Sequence, residues 1–170
     1  SLEGLRHVSI ARDGRIAVAA LNLDASLWSV PLDAGGVAFA AARPLTNDTR
    51  QRNWVPAFSP DGRRIAVMSG VTGRLPDVWT MNADGTGLQQ LTTNNGYEAD
   101  PSWTPDNREI IFKTIRDRAA GLWAIDVETR RERRLMEFGP IDRIRREEGM
   151  VEEAAVAHVT TRMAYTVLYP

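Results

Sequence analysis

The stretch FSPDGRRIAVMS, residues 58–69, decides the fold because the chain repeats it. A close copy, WTPDNREIIFKT, occupies residues 103–114, and a looser one, IARDGRIAVAAL, occupies residues 10–21. Two further markers keep the same spacing: the tryptophans of SLWSV, DVWTM and GLWAI, and the leucines of RPLT, QQLT and RRLM. A period of roughly 45 residues is typical of solenoids, propellers and similar arrays.

Each unit contains short runs separated by turns. In the second unit the runs are WVPAFS, RIAVMS, DVWTMN and LQQLT, and the turns are PDGR and ADGTG. Proline presets φ, aspartate bonds to its own backbone and glycine accepts a positive φ, so these turns are suited to hairpins. Helical repeats of similar length need an apolar period of about 3.6 residues, which these units lack. The pattern therefore predicts a β-propeller blade of antiparallel strands in each unit.

The second and third runs place their apolar residues differently. Residues 65–68 and 110–112 are apolar at consecutive positions, which predicts a strand covered on both faces. The third run alternates, with Trp79 and Met81 on one face and Thr80 on the other. We therefore assign the tryptophans of the third runs to packing between blades, and the aspartates of the Pro-Asp-Gly turns to turn structure.

The units FSPDGRRIAVMS…DVWTMNADGTGLQQLT and DPSWTPDNREIIFKT…GLWAIDVETRRERRL closely resemble the repeats of TolB-like β-propellers. Blades of that family look like WD-repeat blades but carry a Ser-Pro-Asp-Gly turn. The resemblance covers residues 54–135 well. It covers residues 7–46 more loosely, because ARDG replaces SPDG there and the aromatic residue of the first strand is absent.

The predicted fold is all-β, a partial propeller of about three and a half blades over residues 1–170, each full blade having four antiparallel strands. The blades are expected at about 7–46, 54–92, 97–136 and, in part, 150–170. Closed propellers usually have about four to eight blades. We therefore expect a fragment of a longer protein with an open ring, the alternative being a ring completed by association of chains. The mixed-charge segment 141–155 is predicted to be a surface connection that could form a helical turn.

The composition restricts the classes of partner. The chain has 170 residues, of which 43% are hydrophobic and 25% charged, and its formal net charge is −1. Such a small net charge gives no overall attraction for nucleic acid or for an anionic membrane. No apolar run approaches the roughly 18 residues that a membrane span needs. The predicted partners therefore exclude nucleic acid, and no membrane insertion is expected.

Patterns that would indicate catalysis are not found in the sequence. The chain has no cysteine, and its two histidines, His7 and His158, lie in the first and last units without a third metal ligand. It contains no GxSxG elbow. The prediction is a non-catalytic module with no cofactor, no metal site and no catalytic residue.

Residue types that suit protein recognition occur in the connections between fourth and first strands and between second and third strands. These connections gather on one face of a propeller, and loops on a rigid scaffold often carry function. They combine arginine, aromatic and carboxylate side chains, which often anchor protein interfaces. The candidate binding residues are Arg52, Trp54, Arg74, Tyr97, Glu98, Asp100, Arg116, Asp117 and Arg118.

The predicted function is a non-catalytic binding or scaffolding module for another protein or a peptide. The family resemblance implies periplasmic protein contacts for TolB-type relatives and a sensor role for others, which leaves the compartment open and slightly favours the periplasm. One alternative is the gating propeller of a prolyl oligopeptidase-like or tricorn-like serine peptidase. Another is a small-molecule or metal-binding sensor whose site, at the channel mouth, is built from Glu98, Asp100 and Asp117.

Overall fold

The computed structural model describes residues 5–21, 25–38, 40–47, 51–71, 74–140, 150–156 and 163–168. Within these ranges the regular elements are β-strands, and no helix there is long and apolar enough to cross a membrane. Of the segment 141–155, in which a helical turn is predicted, residues 141–149 lie outside the described residues, and so does His158.

Three four-stranded antiparallel sheets follow one another along the chain, each with its strands in sequence order. We call them blades 1, 2 and 3. Blade 1 contains β1 (Leu5–Ile10), β2 (Arg15–Leu21), β3 (Ala25–Pro31) and β4 (Arg43–Pro44). Blade 2 contains β5 (Gln51–Phe58), β6 (Arg64–Val71), β7 (Asp77–Asn82) and β8 (Gln89–Gln90). Blade 3 contains β9 (Tyr97–Trp103), β10 (Glu109–Arg116), β11 (Ala119–Asp126) and β12 (Glu132–Pro140).

A two-stranded sheet, β13 (Met150–Val156) and β14 (Met163–Leu168), follows blade 3. The predicted all-β fold of propeller blades with a final partial sheet is therefore confirmed. Strand β13 begins at Met150, where the predicted partial blade begins, so the prediction that residues 150–155 also belong to the surface connection is wrong. A register shift at Glu152 interrupts the regular alternation of the strand.

Successive blades share two apolar cores. The first core joins blade 1 to one face of blade 2, through Ala17, Ala19, Leu27, Phe58, Ile65, Val67 and Met81. The second core joins the other face of blade 2 to blade 3, through Ala66, Val78, Trp103, Ile110, Phe112 and Ile125. Because blade 2 is covered on both faces, residues 65–69 of β6 are all buried. This confirms the two-sided burial predicted for the second run.

The third strands are also covered on both faces. Thr80 and Ala124 lie on the face opposite the tryptophans, yet they are only 6% and 0% exposed. The alternation in these strands therefore reflects which neighbouring blade a residue contacts, and not exposure to solvent. Trp79 and Trp123 are half-buried and pack against the first and the second core respectively, as predicted.

The first strands form the inner edge of the array, because β1 contacts β5, β5 contacts β9 and β9 contacts β13. The fourth strands lie at the opposite edge of each sheet. The turns from first to second and from third to fourth strands occupy one end of the blades, which we call the turn face. The connections from second to third strands and from one blade to the next occupy the other end, which we call the loop face.

Side-chain hydrogen bonds repeat on the turn face. In blade 2 the Ser59 hydroxyl donates to the Asp61 carboxylate at 2.6 Å. In blade 3 the Thr104 hydroxyl donates to Asp106 at 2.7 Å, and the Arg108 N–H donates to the same carboxylate at 3.1 Å. The Thr104 hydrogen bond, supported by that of Arg108, lowers the pKa of Asp106 from its ordinary value. These aspartates stabilise turns, as the sequence predicts.

One glycine allows the β7–β8 turn of blade 2 to lie directly against blade 1. Gly85 has a φ of 92°, and a Cβ at this position would lie 2.5 Å from the carbonyl oxygen of Leu45. Both the left-handed backbone and the close approach therefore require a residue without a side chain.

Candidate binding face

The loop face carries exposed apolar side chains from blades 2 and 3. Val71 at the end of β6, Leu75 in the following connection and Tyr97 at the start of β9 are 37%, 54% and 36% exposed. We call these three residues the loop-face patch. Contiguous exposed apolar surface of this kind often marks an interaction site.

Backbone hydrogen bonds bring the patch together. The Arg74 N–H donates to the Val71 carbonyl at 3.0 Å, which closes the connection between β6 and β7. The Glu98 N–H donates to the Pro76 carbonyl at 3.1 Å, which joins the start of β9 to the same connection. These bonds bring the backbone near Val71, Leu75 and Tyr97 together at the boundary between two blades.

Positive charge predominates around the patch. Arg52, Arg74 and Arg118 are exposed there, together with a single exposed carboxylate among the described residues of these connections, Asp117. Asp117 and Arg118 form the two-residue turn between β10 and β11, and their φ angles are 49° and 64°. Two positive φ angles define a turn whose twist matches antiparallel strands, so this turn holds both charges in fixed positions.

A buried ion-pair network lies beneath this surface and touches all four strands of blade 3. Glu98 on β9 is 0% exposed, and its Oε1 accepts hydrogen bonds from the Arg116 guanidinium and, at 3.4 Å, from Thr114. Arg116 on β10 also donates to Glu132 on β12 at 2.6 Å. Its guanidinium lies 4.4 Å from the ring centroid of Trp123 on β11. One arginine thus links all four strands of blade 3.

Asp77, at the start of β7, lies near this network from the side of blade 2. Its carboxylate accepts hydrogen bonds from Gln90 at 2.8 Å and from the Thr92 hydroxyl at 3.2 Å. Burial raises the pKa of Asp77 above its ordinary value, and the negative charge of Glu98 adds to the increase. The boundary between blades 2 and 3 therefore contains a carboxylate that is protonated more readily than an exposed aspartate.

This carboxylate gives a pH-dependent prediction. The folded state holds the Asp77 proton more tightly than the unfolded state, so its contribution to the free energy of unfolding falls as pH rises from 3.8 through the raised pKa. Asp77→Asn removes the effect. Urea unfolding measures the free energy of unfolding of the variant and of wild type at a pH below 3.8 and at neutral pH. We expect the difference, variant minus wild type, to be more positive at neutral pH.

Asp84→Asn is the matched control with the opposite sign. The Thr86 hydroxyl and N–H donate to Asp84 and lower its pKa, so the wild-type carboxylate stabilises the fold above pH 3.8 and loses this effect on acidification. For this control, the difference in the free energy of unfolding, variant minus wild type, should therefore be more negative at neutral pH than at the acidic pH. If the Asp77→Asn difference is equal at both pH values, the account of Asp77 is wrong.

Two inner strands contain strained backbone next to a proline. Val55 on β5 and Asp100 on β9 have φ angles of 48° and 54°, and each lies at a register shift between the first and second strands of its blade. Asp100 forms an ion pair with Lys113 at 2.8 Å. A β-branched residue with positive φ is disfavoured, so the surrounding blade must stabilise this conformation.

The structure places the predicted site residues in two layers. The exposed layer contains Tyr97, which belongs to the loop-face patch, and four charged residues, which are Arg52, Arg74, Asp117 and Arg118. The layer beneath is half-buried or buried and contains Trp54, Glu98, Asp100 and Arg116.

The three carboxylates of the predicted channel-mouth site are not brought together. Glu98 pairs with Arg116, Asp100 pairs with Lys113, and Asp117 lies in an exposed turn. In the part of the chain that the structure describes, no group of three or more histidine or carboxylate side chains could hold a metal ion.

The sequence did not identify two members of the patch, Val71 and Leu75. Both lie within the connection SGVTGRLPD, residues 69–77, in which Leu75 directly precedes a proline. An apolar residue before a proline in a connection does not by itself indicate an exposed side chain, because the same residue could equally pack inward.

The blades, the inner first strands and the gathered connections define a segment of a β-propeller with a candidate binding face. A family model described as the TolB beta propeller domain matches residues 39–145. The chain belongs to this family.

Individual proteins and solved structures are also similar to this chain. The chain is 42% identical over 64 residues to the Tol-Pal system protein TolB of Anaeromyxobacter dehalogenans, a match that covers 37% of this chain and 14% of that protein. TolB from Acinetobacter baumannii matches with a TM-score of 0.72 and 16% identity over 95% of this chain and 37% of that one. A structure from a study of two prolyl endopeptidases matches with a TM-score of 0.66 and 13% identity, over 97% and 26%. The two structural matches show the fold alone, and the chain spans only a small part of its curated relative.

Proposed function

We propose that this chain is a non-catalytic propeller segment that binds another protein or a peptide through its loop face. The observation that carries the proposal is the loop-face patch with arginines around it. Tyrosine and arginine are enriched among the residues that contribute most to protein binding, and apolar side chains form the centre of such interfaces. Arg116 and Glu98 hold the blade beneath the patch, which keeps the surface preformed and lowers the entropy lost on binding.

The charges around the patch favour an acidic partner segment with an apolar anchor. Arg52, Arg74 and Arg118 supply positive charge, although the whole chain has a net charge of −1. Nucleic acids are bound mainly through phosphate contacts, and an apolar centre contributes nothing to those. A protein or peptide therefore fits this surface better than a nucleic acid.

The relatives support assembly with other proteins. The curated relative is named as a Tol-Pal system protein, which favours a role within a protein system for this chain as well. The periplasmic location, which the family resemblance slightly favours, and completion of the ring by a second chain both stay predictions from the sequence.

A second candidate is the gating propeller of a prolyl oligopeptidase-like peptidase. The fold similarity to a prolyl endopeptidase structure favours it. The residues described here would then still be non-catalytic, and the same reading frame would encode an α/β-hydrolase domain with a GxSxG elbow. Sequencing of the parent gene distinguishes the two candidates.

A peptide selection tests the binding proposal. Random peptides displayed on phage are selected against the immobilised chain, and the enriched peptides are synthesised. We expect acidic peptides with an apolar or aromatic residue. Leu75→Glu should weaken their binding at least about tenfold, which corresponds to about 1.4 kcal/mol, because it places a like charge in the apolar centre.

Val37→Glu is the matched control for that variant. Val37 is 63% exposed and lies between β3 and β4 at the turn face of blade 1, away from the patch. Binding should be unchanged by this substitution. Failure to enrich any peptide, or equal weakening by the two substitutions, would contradict the proposal.

A further inference from the structure

An arginine of blade 1 holds the first strand and the turn of blade 2. Arg15 is the first residue of β2, and its Nη2 donates to the Gly62 carbonyl at 2.6 Å. Its guanidinium lies 5.5 Å from the ring centroid of Phe58, the last residue of β5. Asp13 orients the side chain by accepting a hydrogen bond from Arg15 Nε at 2.9 Å.

Blade 2 holds blade 3 in the same way. Arg64 is the first residue of β6, and its Nη2 donates to the Asn107 carbonyl at 3.2 Å. Its guanidinium lies 5.1 Å from the ring centroid of Trp103, the last residue of β9. Glu128 accepts a hydrogen bond from Arg64 Nη1 at 3.2 Å. We call this repeated contact the arginine clasp.

The arginine clasp has a donor half and an acceptor half on successive blades. The donor is an arginine at the first position of a second strand. The acceptor is an aromatic ring at the last position of the next first strand, together with a turn carbonyl. Cation–π attraction and a charge-assisted hydrogen bond act together, so the clasp fixes one blade on the next.

Both halves are missing where blade 3 meets the β13–β14 sheet. Glu109 occupies the first position of β10, where blade 2 has Arg64, and its carboxylate accepts two hydrogen bonds from Arg133 of its own blade at 2.9 and 2.5 Å. Val156 is the last residue of β13 and lies opposite Met163, at the register position that aromatic residues occupy in β5 and β9. Valine offers no ring for a guanidinium.

The contacts between strands also differ between the two boundaries that have an arginine clasp and the one that lacks it. Strand β5 packs against β1, β2 and β3 of the preceding blade, and β9 packs against β5, β6 and β7. Strand β13, in contrast, packs chiefly against β9. Among the residues that the structure describes, the β13–β14 sheet therefore contacts blade 3 mainly at its inner strand.

We propose that the boundary without an arginine clasp is the joint at which this array opens. Blades 1 to 3 then form one cooperative unit, and the β13–β14 sheet separates from it more readily than the unit unfolds. The expected weak point of the array is therefore the contact of β13 with β9.

Hydrogen–deuterium exchange on the full chain tests the proposal. We expect amides of β13 and β14 to exchange at least about 100-fold faster than those of β10 and β11 under native conditions. The double variant Glu109→Arg, Val156→Trp supplies both halves of the clasp and should slow exchange in β13 and β14 about tenfold or more. Glu109→Arg alone controls for the loss of the Arg133 pair and should not slow it. Equal exchange in the two regions of the wild type, or no slowing in the double variant, would overturn the proposal.

Removal of an existing clasp supplies the converse test. Arg64→Ala should make blade 3 exchange faster than blades 1 and 2, whereas Arg63→Ala, at an exposed position next to it, should leave the pattern unchanged. If the alanine variant does not fold, Arg64→Lys keeps the charge and removes the planar guanidinium. An exchange pattern identical to wild type in the folded Arg64 variant would show that the clasp does not hold the blades.

Discussion

Replacement of Trp103 with alanine is expected to lower the free energy of unfolding by about 3–5 kcal/mol. The side chain is 1% exposed and lies in the core shared by blades 2 and 3. Its Nε1 donates to the Ala57 carbonyl of blade 2 at 3.0 Å. The guanidinium of Arg64 lies over its ring, 5.1 Å from the ring centroid. Truncation thus removes apolar contact, a hydrogen bond across the boundary and one clasp together. Because domains are stable by only about 5–15 kcal/mol, the variant should unfold at much lower urea concentration.

The control for this prediction is Trp103→Phe, which keeps a ring and loses the indole N–H. We expect it to lose about 1–2 kcal/mol, since the Ala57 carbonyl is left without its partner. Urea unfolding followed by circular dichroism measures both variants. A loss below about 1 kcal/mol for Trp103→Ala would show that the blades do not pack as described.

Arg116→Ala is expected to destabilise the fold by about 3–5 kcal/mol. The substitution leaves the carboxylate of Glu98 fully buried and without its counter-charge. Of the two oxygens of Glu98, Oε1 accepts the hydrogen bonds, whereas Oε2 accepts none from the residues that the structure describes. The negative charge of Glu98 is therefore compensated by the Arg116 guanidinium, with the Thr114 hydroxyl at 3.4 Å as a further donor.

Two second-site variants separate loss of charge compensation from loss of packing. Glu98→Gln in the Arg116→Ala background removes the uncompensated charge and should recover more than half of the lost stability. Leucine at both positions should come within about 1–2 kcal/mol of wild type, because apolar pairs often replace buried ion pairs without loss. If neither double variant is more stable than Arg116→Ala, the ion pair is not the cause of the loss.

The blades could be predicted because the interactions that define them are local. Ser59, Asp61 and Gly62 form their turn within a few residues, and the consecutive apolar residues of β6 report burial on both faces directly. The same reasoning found β10 and the connections of the loop face. It assigned residues 150–155 both to a surface connection and to the partial blade, because a bulge at Glu152 interrupts the alternation of β13.

The arrangement of the candidate site could be predicted only in part, because it depends on contacts between distant residues. Glu98 resembles an exposed carboxylate in the connection NNGYEAD, but Arg116, far along the chain, pairs with it in the buried layer. Arg15 and Arg64 resemble ordinary solvated residues after a turn, and nothing local shows that their guanidinium groups reach carbonyls 47 and 43 residues away. The connection that carries Leu75 is joined to blade 3 through the hydrogen bond from Glu98 N–H to the Pro76 carbonyl, which no local pattern shows.

We propose that the loop face, and not another surface, binds a protein segment. The most direct measurement is hydrogen–deuterium exchange of the chain with and without a saturating amount of a peptide selected against it. We predict slower exchange in residues 74–76, 97–98 and 117–118, which surround the loop-face patch, and no change in the turn-face residues 82–88 and 126–131. Protection confined to the turn face, with none on the loop face, would contradict the account.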